Sequence, residues 1–188
     1  MDAIETFETE KETLNIYIDE SPESPREWDN MGMMICSHGR YDLGDKHEID
    51  FKDYSGWDEA KEAIIKKYDV AVILPLYLYD HSGITIATTP FSCRWDSGQV
   101  GFIIVSKKKL REEYKVKRIS KELLEKAKSI LINEVDIYDT YIRGDIYRFE
   151  VTDKEGNHID SCSGFYGNDY KTDIADNVSD ELAELLKK

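Results

Sequence analysis

Residues 91–105 read FSCRWDSGQVGFIIV, and the first half of that stretch crowds reactive side chains into one bend. Cys93, Arg94, Trp95, Asp96 and Gln99 put a thiol, a guanidinium, an indole, a carboxylate and an amide within seven residues. Read as a nucleophile, Cys93 has Arg94 beside it to favour the thiolate, and His38 or His81 is available as a base. Read more plainly, a strand cysteine packs as a small apolar residue, and Cys162 in DSCSGFYG carries the same two readings. Three acids each follow an aromatic residue: Trp28-Asp29, Tyr79-Asp80 and Trp95-Asp96. A carboxyl against an aromatic wall can serve as a general acid. An Asp at a turn more commonly bonds its own backbone. All three pairs stand at the ends of expected strands, which predicts one shared patch. If the chain is an enzyme, its catalytic candidates are Asp80, His81, Asp96 and Cys93.

A second group has ligand chemistry. His38, Asp42, Asp45 and His47 lie within ten residues, and Asp80-His81 is a candidate to join them. Imidazole and carboxylate suit zinc, iron or manganese. The spacing H-x3-D-x2-D-x-H matches no established metal motif, and a solvated polar loop explains the same residues. No cofactor is expected; a divalent metal on His38, Asp42, Asp45, His47 and His81 is the exception kept open. There is no Walker-type or dinucleotide glycine loop, and the glycines of GFYGN read as a turn.

The third chemistry is recognition. Trp28, Tyr41, Tyr54, Trp57, Tyr77, Tyr79, Trp95 and Tyr166 fall in or beside loops. Trp, Tyr and Arg anchor protein interfaces; in the plainer account such rings cap the core. The binding candidates are Trp28, Asp29, Tyr79, Asp80, Trp95, Asp96, Gln99 and Tyr166.

These residues need elements to hold them. Residues 1–13 read as a loose acidic lead-in. Leu14, Ile16 and Ile18 alternate with polar neighbours, as in a half-buried strand. Pro22 and Pro25 make residues 19–30 a loop, MGMMIC is a short strand, and residues 37–56 form a long loop. Trp57, Ala60, Ile64 and Tyr68 predict a helix over 57–68. DVAVILPLYLYD is a central strand in which Pro75 demands a bulge or an edge. Ser82-Gly83 turns it into a strand over 84–88, Ser97-Gly98 is expected to turn a second hairpin, and 101–105 is a further strand. SKKKLREEY is a basic helix. Ser120 caps a long amphipathic helix ended by Gly144. Glu155-Gly156-Asn157 joins DIYRFEV to HIDSCSGF in another hairpin, and Ile174, Val178, Leu182, Leu185 and Leu186 mark one closing helix. The order predicts an α+β fold, a mainly antiparallel sheet with three to four helices packed on it, rather than a parallel doubly wound one.

The 188 residues imply a single domain over 1–188, and 40% hydrophobic residues are enough for a core. There is no apolar run long enough to span a membrane and no leader pattern at the N-terminus. Three unpaired cysteines fit a reducing compartment, so a cytoplasmic location is expected. The net charge of −14 is uneven: residues 61–130 carry 14 bases against 8 acids, between two acidic ends. Overall acidity argues against direct nucleic-acid binding, because the phosphate term is repulsive. It fits solubility first, and it permits a surface that imitates nucleic acid.

The blocks SPREWDNMG, PLYLYDHSGITI, FSCRWDSGQVGFI and DSCSGFYG resemble those of uncharacterised bacteriophage and mobile-element proteins. The likeness covers most of residues 24–105 and returns at 160–167. It brings no reaction with it. It implies a small accessory protein, and by analogy one that binds a host defence or nucleic-acid-handling protein, such as a restriction or CRISPR nuclease. The alternative expectation is a metal-assisted hydrolase built on His38, Asp80, His81 and Asp96.

Overall fold

The computed structural model describes residues 2–187. In chain order the elements are strands β1 (Glu5–Glu8), β2 (Glu12–Ile18) and β3 (Met33–Cys36), helix α1 (Trp57–Tyr68), strands β4 (Val70–Asp80), β5 (Ile84–Ala87) and β6 (Ser97–Ser106), helices α2 (Lys107–Tyr114) and α3 (Lys121–Arg143), strands β7 (Ile146–Asp153) and β8 (His158–Tyr166), and helices α4 (Tyr170–Ala175) and α5 (Asp180–Leu186). Among the described residues the strands form two four-stranded antiparallel sheets, β1-β2-β7-β8 and β3-β6-β4-β5, so the fold is α+β. The chain divides into two compact units, Met1–Pro25 with Thr140–Lys188, and Arg26–Asp139.

The first unit is built on the β1-β2-β7-β8 sheet. Leu14 lies opposite Val151 and Ile16 opposite Phe149, and all four are buried against α4 and α5. Burying each such side chain contributes about 1.5–3 kcal/mol. On the other face Tyr17 lies opposite Arg148, whose guanidinium sits 4.3 Å from the ring centre. Residues 5–8, expected as part of a loose lead-in, instead form an edge strand, because Glu5, Thr6, Phe7 and Glu8 pair with β2. Lys171 and the Tyr170 hydroxyl pin that edge through Glu5, each at 2.5 Å. The expected closing helix is two, because Ser179 accepts a bond from the Leu182 backbone and caps a fresh start.

The second unit has β6 at its centre, buried on both faces from Val100 to Val105. Phe102 and Ile104 join Ile35 and Ile64 in the core beneath α1. Ile103, of opposite parity, faces Leu131 of α3, and both crowd Gly32. Gly101 allows β3 its close approach: a Cβ there would stand 2.0 Å from the Ile35 carbonyl oxygen. Pro75 meets the expectation for it. Its strand partner β5 covers only Tyr77 to Asp80, so the ring sits where that side is unpaired, beside a register shift at Leu76/Tyr77. Ser97-Gly98 is not a turn. Both residues lie in β6, opposite Tyr79 and Leu78; β5 and β6 flank β4 on its two sides and run parallel to each other, so residues 88–96 are a crossover connection rather than a hairpin turn. No helix among the described residues is long and apolar enough to cross a membrane.

Candidate functional site

The C-terminal end of β4 and the N-terminal end of β6 lie side by side, and the bend before β6 closes on them. The Asp80 amide donates to the Asp96 carbonyl at 2.8 Å, which ties the two aromatic–acid pairs together. Between them and the 37–45 loop opens a cleft of about 400 Å³, lined by His38, Arg40, Asp80, Trp95, Asp96 and Gln99 among others. The loop enters because the Ser37 amide extends β3's pairing to the Val100 carbonyl. His38 stacks on Tyr41 at 5.1 Å, and Arg40 forms an ion pair with Asp80. The Tyr41 hydroxyl donates to the other Asp80 oxygen at 3.2 Å. Arg40 was not among the sequence candidates, and Tyr41 was there only as one of the loop aromatics. No periodicity marks a loop residue whose partner lies forty positions away.

Asp96 is the hub of the bend. Its Oδ2 accepts from the Cys93 thiol at 3.5 Å and lies 3.4 Å from His81 Nδ1. The Ser97 hydroxyl donates to the Cys93 carbonyl, which holds the bend shut. Four catalytic candidates, Asp80, His81, Cys93 and Asp96, therefore do share one neighbourhood. No hydrogen bond joins His81 to Cys93, so the imidazole serves the carboxylate rather than the thiol. Nucleophilic catalysis calls for the base within reach of the nucleophile. Trp95 stands out differently: it is 96% exposed, an indole with almost nothing over it. Gln99 donates to the Gly101 carbonyl at 3.3 Å, and Tyr79 packs between His81 and Phe91.

The shared patch holds two of the three aromatic–acid pairs. Asp29 forms an ion pair with Lys109 of α2, which follows the far end of β6, so Trp28-Asp29 lies at the opposite end of that ten-residue strand. Tyr166 belongs to the other unit, where its hydroxyl donates to the Glu23 carbonyl at 2.6 Å. Burial, with Tyr141, Glu23 and Asp19 nearby, pushes that phenol up to about 12. It is a structural hydroxyl there.

The metal candidates disperse. Among the described residues no three His, Cys, Asp or Glu side chains are grouped to hold an ion. His47 Nε2 contacts the Cys36 carbonyl at 2.7 Å while its Nδ1 accepts from the Ile49 amide. Asp42 is an exposed loop residue. Asp45 has an architectural task. It takes a bidentate pair of bonds from Arg26, at 2.9 and 2.7 Å, and a third from the Met34 amide. Arg26 also reaches Glu134 of α3 and the Gly32 carbonyl, and Glu134 accepts from the Met31 and Gly32 amides. This clasp fastens the 26–45 loops to α3. Burial alone would lower the Arg26 pKa, but the two carboxylates hold it above its ordinary value. Cys36, beneath the clasp, is pushed up to about 12 by burial and by Asp45, which makes it an inert core residue.

No protein-family model, no curated protein and no solved structure matches the chain.

Proposed function

We propose that the chain is an accessory protein of a bacteriophage or other mobile element that binds a host macromolecule through the cleft at Trp95. The observation that carries this reading is the indole itself. Tryptophan is enriched among the anchors of protein interfaces, and this one stands 96% exposed beside a polar cleft. Arg40, Asp80, Asp96 and Gln99 around it supply both signs of charge and an amide, as an interface rim does. The phage-like blocks include the bend and β4, so the resemblance runs through the same surface. The partner is a host protein of defence or nucleic-acid handling, such as a nuclease, and the working location is the host cytoplasm.

The charge distribution supports the mimicry version. The unit of residues 1–25 and 140–188 carries 19 acids against 7 bases, a net of −12, while residues 26–139 carry 20 against 18. On the mimicry version of this reading, the acidic surface is that of the first unit.

The test is capture of host proteins from nuclease-treated lysate by tagged wild type and by Trp95→Ala. A stoichiometric host protein held by the wild type and lost with Trp95→Ala, at unchanged melting temperature, is expected. The same protein held equally by both would refute the reading.

The alternative is a small hydrolase in which Asp80, His81 and Asp96 do general acid–base work. Its support is the convergence of those side chains around Asp96. Turnover of a chromogenic ester by the purified protein, abolished by Asp96→Asn at unchanged melting temperature, is what that reading requires.

A further inference from the structure

The basic middle of the sequence folds into a second concavity, separate from the Trp95 cleft. Residues 107–128 hold ten lysines and arginines against four acids, in a chain of net charge −14. A cavity of about 330 Å³ opens there, lined by Lys107, Arg111, Lys117 and Arg118 around Ala71, Ile119 and Leu124. Its formation is local. α2 ends on Lys115 in the left-handed region at φ 51°, and the Val116 amide returns to the Arg111 carbonyl at 3.1 Å. That reversal folds Lys117 and Arg118 back toward Arg111.

The ion pairs are uneven. Lys107 is held by Asp69 at 2.5 Å, Lys108 by Glu112 and Lys109 by Asp29. Arg111, Lys117 and Arg118 have no acidic partner among the described residues, although the chain has 39 acids. Like charges brought together in one concavity repel one another. Solubility alone does not call for that arrangement, and an anion relieves it. The apolar wall adds a second preference, for a ligand with a body as well as a charge. The volume lies in the usual range for small-molecule sites.

The geometry points to a binding site for a small phosphorylated molecule, its phosphate taken by Arg111, Lys117 and Arg118 and its apolar body laid on Ile119 and Leu124. The site does not depend on the Trp95 reading. Guanidinium–phosphate bonds are the strong, charge-assisted kind.

Titration calorimetry at low ionic strength with inorganic pyrophosphate and with adenosine monophosphate tests it. Both probes are expected to bind. The double variant Arg111→Gln/Arg118→Gln should weaken both by about tenfold or more. Leu124→Gln should weaken the nucleotide and spare pyrophosphate, and Lys126→Gln, whose ammonium sits over Tyr114 instead, should change neither. Far-UV circular dichroism checks that the variants fold; the charge changes are at exposed residues. Absence of heat from both probes at millimolar concentration overturns the site, as does undiminished binding by the folded double variant. A single-stranded oligonucleotide that binds with a steep salt slope, when neither small probe does, overturns it in favour of a polyanion surface.

Discussion

Replacing Arg26 by methionine removes the centre of the clasp and leaves its two carboxylates facing each other without a cation. The side chain is only 6% exposed, and it donates to Asp45 twice, to Glu134 and to the Gly32 carbonyl. Removing one partner of a buried ion network costs about 3–5 kcal/mol, because the remaining charges lose their compensation. That is from about a fifth to most of the roughly 5–15 kcal/mol by which an ordinary domain is stable. All three tryptophans, Trp28, Trp57 and Trp95, lie within residues 26–139, so their fluorescence follows this unit alone. With a slope of about 1–3 kcal/mol per molar urea, the midpoint should fall by roughly 2 M. Adding Glu134→Gln to Arg26→Met should cost less than the two single losses together, since one of the stranded charges is then gone. An unfolding free energy within about 0.5 kcal/mol of wild type for Arg26→Met would refute the reasoning. The clasp would then be a surface contact that water replaces.

The other expectations rest on different elements. Gly101→Ala places a methyl 2.0 Å from the Ile35 carbonyl, where only backbone could yield, so a loss of more than about 2 kcal/mol in the same fluorescence assay is expected. Native protein treated with iodoacetamide at pH 8 should be labelled at exposed Cys162, and at Cys36 only after unfolding; early labelling of Cys36, read by peptide mass, would contradict its burial. Burial alone would raise the Glu5 pKa, but bonds from Lys171 and Tyr170 outweigh it and hold it below the ordinary 4.5. A depressed carboxylate stabilises above its unfolded value and loses that contribution as pH falls through the folded one. Glu5→Gln cannot titrate, so its melting curve, followed by far-UV circular dichroism, should lie below wild type at pH 7 and converge with it on acidification; parallel curves would exclude the role.

The local elements were legible in the residues because each is decided by near neighbours. The helix over 57–68 needs only its own apolar spacing, and the structure ends it at the same residues. Gly144 stops the long helix at φ 75°, and Gly156 turns β7 into β8 at φ 87°, both as the backbone of glycine allows. Where local signals mislead, pairing overrides them. Ser97-Gly98 has turn chemistry but joins a strand because β4 extends to receive it, and the acidic start of the chain becomes a strand because β2 offers it an edge.

The candidate site divides in the same way. Composition alone marks Trp95, Asp96, Asp80 and His81 as chemistry, and their aromatic neighbours as recognition. Which of them meet depends on contacts between distant positions. Asp80 and Asp96 meet through one backbone bond between neighbouring strands, while Trp28-Asp29 is carried to the far end of β6. Asp45 looks like a metal ligand in sequence and is an arginine's partner in space, bound to a residue nineteen positions earlier. Arg111 and Arg118 look like surface charge until the turn at Lys115 puts them around one cavity. Spacing along a chain determines a face of a helix or a strand, because backbone geometry repeats every few residues. It does not determine which faces pack, because that is decided by burial and pairing across the whole unit.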